Sequence, residues 1–199
     1  LRAQRPNAPF LELVHRLDRE TSGLLVIAKK RAVLTALHRA LRDGEVDKTY
    51  IALVCRRWLA PARRIDLALH KYTTAEGERR VSVRADGKPA VTRVRLMRRW
   101  ENFTLLEVKL ETGRTHQIRV HLAHTGFPIC GDDKYGDFAL NRTLRSVGLK
   151  RMFLHAAALS FRTPASGELL HLQAPLPDDL ARFLAALDAN ERCDHAAAV

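Results

Sequence analysis

The sequence predicts an α+β fold, and three observations carry that prediction. Runs of β-branched and alternating residues recur along the chain, among them Leu24-Leu25-Val26-Ile27-Ala28 and Lys48-Thr49-Tyr50-Ile51-Ala52-Leu53-Val54. Two further runs, residues 89–100 and 103–111, are separated only by Glu101-Asn102 and read as an antiparallel hairpin. Two other stretches place apolar residues at helical spacing: Val33, Leu34, Leu37 and Leu41 in one, Leu180, Phe183, Leu184 and Leu187 in the other.

In chain order, residues 1–9 with two prolines read as a loop, and Phe10-Leu11-Glu12-Leu13-Val14 as a short strand. Residues 24–28 form a buried strand, and residues 29–42 a helix stopped by Asp43-Gly44. Residues 48–54 are a strand. Residues 58–86 are the least informative part, Arg-rich turns around short apolar pieces at 65–69 and 81–83. After the hairpin, Gly113 marks a turn and Thr115 can cap a short helix that ends at Thr125-Gly126, with Ile118, Val120 and Leu122 on its apolar side. Met152-Phe153-Leu154-His155-Ala156 enters a strand, residues 168–173 form another, and residues 178–188 form a capped amphipathic helix before a frayed end at 189–199.

At 199 residues the chain suits one good-sized core. It has 34 Lys and Arg against 22 Asp and Glu, a formal charge of +12, so a polyanion is the natural partner. The arginines are spread in pairs such as Arg63/Arg64 and Arg98/Arg99, which suits a folded basic face better than a disordered tail. On the hairpin, Arg93 and Arg95 share a face that either grips phosphate or is simply solvated. Cys55, Cys130 and Cys193 are too few and too scattered for a disulfide framework or a structural zinc, which points to a reducing cytoplasm. No run is long enough to span a membrane and residues 1–9 are not signal-like, so the expectation is a soluble, cytoplasmic monomer.

Chemistry concentrates in His15-Arg16-Leu17-Asp18-Arg19-Glu20-Thr21-Ser22-Gly23. Asp18 stands between Arg16 and Arg19, and nearby guanidinium groups favour the charged form of a carboxylate, which acts as nucleophile or base. A turn Asp in a surface ion pair is the competing reading. His15-Arg16-Leu17-Asp18-Arg19-Glu20-Thr21-Ser22-Gly23 closely resembles the catalytic motif of the RluA family of pseudouridine synthases, in which the Asp of HRLD attacks during uridine isomerisation. The kinase HRD loop is a superficial match only, because no glycine-rich phosphate loop, V-A-I-K lysine or D-F-G accompanies it.

Two further stretches match the same family in order. Lys48-Thr49-Tyr50 resembles its K-x-Y strand, which implies that Tyr50 lies against the target uracil and assists proton movement; on its own, Tyr50 reads equally as a packed aromatic. Gly113-Arg114-Thr115-His116-Gln117-Ile118-Arg119-Val120-His121 resembles the other signature, which implies that Arg119 pairs with Asp18 and Ile118 forms an apolar wall, with Arg114 and His116 beside them toward the RNA. His116, His121 and His124 do not make a metal site, since i and i+5 do not share a helix face. Residues 126–136 are close to the family loop G-H-P-I-x-x-D-x-x-Y-G, with Phe127 in place of His, and Leu154 of Leu-His-Ala is a candidate to pack under the uracil or a plain core residue.

The resemblance covers residues 10–187 and is strongest to the RluC-type large-subunit rRNA branch of the family. It implies the pseudouridine synthase fold, a mixed, mostly antiparallel β-sheet with flanking helices and loops. It also implies isomerisation of a flipped-out uridine in large-subunit rRNA without cofactor or metal, with Arg16 filling the gap left in the RNA. The K-P-x-G strand motif and the small S4-type RNA-binding domain that such proteins carry ahead of HRLD are not in the sequence, and the chain starts at Leu1. Residues 1–199 are therefore read as the catalytic domain of a longer protein. The rival function is a non-catalytic basic RNA-binding or ribosome-assembly module, with a DNA-binding module behind it; no helix-turn-helix, RRM or zinc pattern stands out. A glycoside hydrolase needs a second carboxylate, for which only Glu20 offers.

Overall fold

The computed structural model describes residues 2–197, with side chains to residue 190. Eleven strands and four helices alternate irregularly along the described chain: β1 (Glu12–Leu13), β2 (Ser22–Gly23), β3 (Ile27–Ala28), α1 (Arg31–Asp43), β4 (Asp47–Cys55), β5 (Ala62–Asp66), β6 (Leu69–Thr73), β7 (Arg79–Val83), β8 (Val91–Arg99), β9 (Phe103–Leu110), α2 (Gln117–His124), α3 (Phe138–Ser146), β10 (Leu154–Arg162), β11 (Leu169–Gln173) and α4 (Asp178–Ala197). The main sheet runs β11-β10-β4-β9-β8-β5, antiparallel throughout, and β2 joins β10 in parallel. It is the mixed, mostly antiparallel sheet expected of an α+β chain. The predicted hairpin is β8–β9, with Thr92 opposite Leu110 and Arg99 opposite Thr104.

β4 organises the molecule because it is central and buried on both faces. Its side chains alternate with the period of a strand. Tyr50, Ala52 and Val54 pack with Ile118 and Leu122 of α2, while Leu53 and Cys55 pack with Leu144 of α3 and Leu180 and Phe183 of α4. A third cluster seats α1, through Leu37, against Val14, Ala28, Leu159 and Phe161. Gly44 ends α1 at φ 78°, a left-handed position that suits glycine.

Four readings of the sequence need correction. Residues 24–28 are not one buried strand: Ser22 and Gly23 pair with β10 while Ile27 and Ala28 pair with β1, so the chain bends between two partners and Leu25 is exposed. Residues 58–86 are not merely turns and short apolar pieces but supply β5 to the sheet edge and the separate β6–β7 hairpin. α3 went unread although Asp137 caps it, accepting from Leu140 N–H at 3.0 Å; it buries only Asn141 and Leu144, too short a stripe to stand out. α4 runs on to Ala197 rather than fraying after Asp188, and the last two residues lie outside the described ones. Cys55 and Cys130, distant in sequence, meet as free thiols 3.6 Å apart, while the Cys193 side chain lies outside those described.

Gly23 fixes the β2–β10 junction. Its φ is +105°, and a Cβ there would lie 2.2 Å from the Ala156 carbonyl oxygen. Gly23→Ala is expected to cost about 1–3 kcal/mol through strain and displaced pairing. Urea unfolding of the two proteins measures it, and an unchanged midpoint would show that β2 is not held as described.

Candidate active site

Asp18 lies in the loop between β1 and β2, and that loop is tied down at several points. Thr21 N–H donates to the Asp18 carbonyl at 3.0 Å, and Leu24 N–H donates to the Ala156 carbonyl at 3.0 Å. Arg151 donates to the Glu20 carbonyl at 2.7 Å, Ser22 meets the His155 ring at 3.0 Å, and His15 Nε2 accepts from Val26 N–H at 3.1 Å. The carboxylate is thus carried on a loop whose backbone is anchored to the central sheet.

Its charge partner comes from 101 positions away. α2 buries six consecutive residues from Gln117 to Leu122, a pattern with no solvent face, and Arg119 among them is nearly enclosed. Arg119 donates through Nε and Nη2 to the two oxygens of Asp132, both at 2.7 Å, and through Nη1 to Asp18 Oδ2 at 3.3 Å. Asp132 is itself wholly buried and also accepts from the backbone N–H groups of Lys134 and Tyr135, at 2.8 and 3.0 Å. The planar fork is therefore oriented by Asp132, which leaves one N–H edge for Asp18. The Tyr135 ring stacks on the guanidinium with its centroid 5.2 Å away.

Electrostatics follow from this arrangement. Burial opposes the charge on both members of the Arg119–Asp132 pair, but their mutual attraction wins: the pKa of Arg119 is raised and that of Asp132 is held below the usual carboxylate value. The expectation that Arg16 and Arg19 serve Asp18 is corrected. Among the described residues neither forms an ion pair with it, and both are exposed.

A cavity of about 600 Å³ opens beside Asp18. All eight residues singled out from the sequence line it: Asp18, Tyr50, Arg119, Arg16, Ile118, Leu154, Arg114 and His116. Tyr50 reaches it from β4, with Ile118 and Leu154 buried against the same cluster. Burial first, and the Asp18 charge second, push the Tyr50 hydroxyl up to about 12, so it keeps its proton at neutral pH. His116, rather than Thr115, stands at the α2 N-cap, in a left-handed conformation with φ 52° and no side-chain cap bond. Its Nδ1 lies 2.9 Å from the Tyr135 hydroxyl, which accepts from Val81 N–H of β7, and burial lowers its pKa. His121 is committed elsewhere, with Nδ1 at Thr92 and Nε2 at the Leu67 carbonyl, both 2.9 Å away.

Cations on the hairpin and cations at the cavity differ in their partners. Arg93 and Arg95 on the hairpin pair with Glu111 and Glu107, and Arg98 pairs with Asp188, so these arginines are bound to carboxylates rather than simply solvated. Arg16, Arg42, Lys48 and Arg114 line the cavity, and none has a carboxylate within 4.0 Å among the described residues.

The RNA pseudouridylate synthase family profile matches residues 1–124. The chain belongs to the RNA pseudouridylate synthase family. It is 49% identical over 190 residues to the ribosomal large subunit pseudouridine synthase C of Yersinia pestis, covering 96% of this chain and 59% of that protein. It is 48% identical over 189 residues to the protein of the same name from Escherichia coli strain K12, covering 94% and 59%. The chain thus spans about three fifths of the length of these curated relatives. Among solved structures it resembles human RNA pseudouridylate synthase domain containing 1, with a TM-score of 0.74 at 26% identity over 95% of this chain and 83% of that one. Human RNA pseudouridylate synthase domain containing 4 gives a TM-score of 0.73 at 28% identity, over 89% and 76%. Members of this family thus share the α+β architecture described above.

Asp132 and Tyr135 are the site residues that reading the sequence missed. Both were visible within the loop wording at 126–136, but nothing in the sequence says that this loop folds under α2. Asp132→Ala leaves the Arg119 charge buried without its main partner and is expected to cost about 3–5 kcal/mol at pH 7. A carboxyl whose pKa falls on folding contributes stability above its unfolded pKa and loses it as pH drops through the folded one. The deficit of Asp132→Ala should therefore shrink below the ordinary carboxylate range. Chemical unfolding from pH 7 down to pH 3 tests both points, and a deficit that stays constant would contradict the ion-pair account.

Proposed function

We propose that this chain isomerises uridine to pseudouridine in RNA, with large-subunit ribosomal RNA as its substrate, acting as a cytoplasmic monomer and as the catalytic domain of a longer protein. The observation that carries the reading is the Asp18 carboxylate, oriented by a buried Arg119–Asp132 pair at the wall of a cationic cavity. A module that only binds RNA has no use for a carboxylate ordered in this way, because it repels phosphate. The names of the bacterial relatives support the choice of ribosomal RNA.

In this reading the uridine leaves its stack at a cost of a few kcal/mol and enters the cavity, and exposed Arg16 fills the space it vacates. The Tyr50 ring lies against the uracil, with Leu154 and Ile118 as apolar walls, and Arg114 and His116 face the adjoining RNA. The N1–C1′ bond breaks, the uracil turns, a C5–C1′ bond forms, and the C5 proton is released as N1 regains one. Asp18 supplies the nucleophile or the base for this sequence, and Arg119 holds it in place. The change is redox neutral and requires no cofactor.

Asp18→Ala should lower turnover by on the order of 10⁴-fold or more, yet hold or slightly raise RNA affinity, because a negative charge leaves a cationic cavity. Arg119→Lys keeps the charge but not the fork, and misplacing Asp18 should cost about 10²-fold. Pseudouridine mapping on a large-subunit rRNA transcript, with affinity at fixed salt and circular dichroism, measures these effects. Full turnover by folded Asp18→Ala would end the proposed mechanism. A wild type that binds but modifies no uridine would favour the assembly-module reading.

Tyr50→Phe separates the ring from the hydroxyl. Stacking alone predicts near-normal affinity and turnover, whereas proton transfer by the hydroxyl predicts normal affinity with turnover about 10²-fold lower or worse. A buried hydroxyl pushed up to about 12 is a weak proton donor at neutral pH, which favours the first outcome.

A further inference from the structure

Lys48 is a cavity cation that the mechanism above does not use. It stands two positions before Tyr50 on β4, so strand alternation puts both side chains on one face. Both line the cavity, and a Cβ built on Gly113 at its far wall would lie 3.6 Å from Lys48 Nζ. Among the described residues this ammonium has no carboxylate within 4.0 Å and no side-chain hydrogen bond. The two carboxylates of the cavity wall are engaged elsewhere, Asp18 by Arg119 and Glu111 by Arg93 and Arg64. Burial alone lowers its pKa, as expected of a cation taken from water without an anion in exchange.

We propose that Lys48 binds a phosphate of the nucleotide that enters the cavity, one strand repeat from the base held at Tyr50. This rests on the functional reading above and extends it to a specific contact. A lysine has three donors and no acceptor, and the anions an RNA brings into such a cavity are its phosphates. Two residues of strand span about 6.7 Å, the scale of a nucleotide from base to phosphate. With Asp18 and Glu111 engaged, that phosphate meets no competing carboxylate at Lys48. Arg16, Arg42 and Arg114 are exposed, where water screens them; of the cavity cations without a carboxylate partner, Lys48 is the one that is partly desolvated.

Two measurements on the whole chain test the contact. The first is the salt dependence of binding to a large-subunit rRNA transcript: Lys48→Met should flatten the slope of log K against log salt by about 0.7–0.9, and Lys48→Arg should restore it. The second compares uridine with uridine 5′- and 3′-monophosphate by NMR titration. The wild type should prefer one monophosphate to uridine by about 10-fold or more, and Lys48→Met should erase the preference; which isomer is preferred assigns the phosphate. If Lys48→Met fails to fold by circular dichroism, Lys48→Gln takes its place. An unchanged salt slope overturns the proposal, as does a wild type with no preference for either monophosphate. A wild type that passes both tests yet forms no pseudouridine would remove the functional reading and leave the phosphate contact standing.

Discussion

Everything at this site depends on a buried ion pair, Arg119 with Asp132. Two charges taken from water cost several kcal/mol each, and the cost is offset only when the geometry is bidentate and the remaining lone pairs are used. Both conditions hold: two bonds of 2.7 Å close the fork, and two backbone N–H groups satisfy Asp132 further. With such an anchor Arg119 has little rotational freedom. The N–H edge left over faces Asp18, so a carboxylate on a surface loop acquires a fixed orientation from a pair buried in the core.

The sheet makes this possible by having a central strand with two apolar faces. One face of β4 packs on α3 and α4 and is scaffold; the other receives α2 and opens, toward its N-terminal end, into the cavity. Tyr50 and Lys48 share that second face by strand periodicity alone. The loop at 126–136 is fastened to the same strand by bonds between Cys55 and Pro128 and between Cys130 and Leu53, both 2.9 Å, which carry Asp132 beneath α2. Fold and site therefore share one set of contacts, and changes that loosen β4 will be felt at Asp18.

Distribution of charge matters more than its amount. A formal +12 says that the chain will find polyanions, but many of its surface arginines are tied to carboxylates on neighbouring strands or helices. Among the described residues, four cations without such partners, Arg16, Arg42, Lys48 and Arg114, line the cavity. Exposed pairs contribute little stability. At the cavity an incoming anion meets cations that no carboxylate already holds.

What the sequence determined by itself was whatever local pattern encodes: the α+β class, the β8–β9 hairpin, α1 with its Gly44 stop, the strand carrying Tyr50, and the motifs around Asp18 and Arg119 whose residues do line one cavity. Family membership was legible for the same reason, since it is carried by short contiguous wording. Local pattern failed where the partner of a residue lies far along the chain. Residues 24–28 read as one strand, but β10 claims the chain just before them and β1 their far end; α3 and the strands between 58 and 86 bury too little surface to show a period. Sequence proximity offered Arg16 and Arg19 to Asp18 and the family resemblance offered Arg119; both neighbours are exposed, and Arg119 reaches Asp18 from its buried place on α2, oriented by Asp132. Only the tertiary structure could decide that, because desolvation selects which charges must pair, and desolvation is a property of the packed chain and not of the order of its residues.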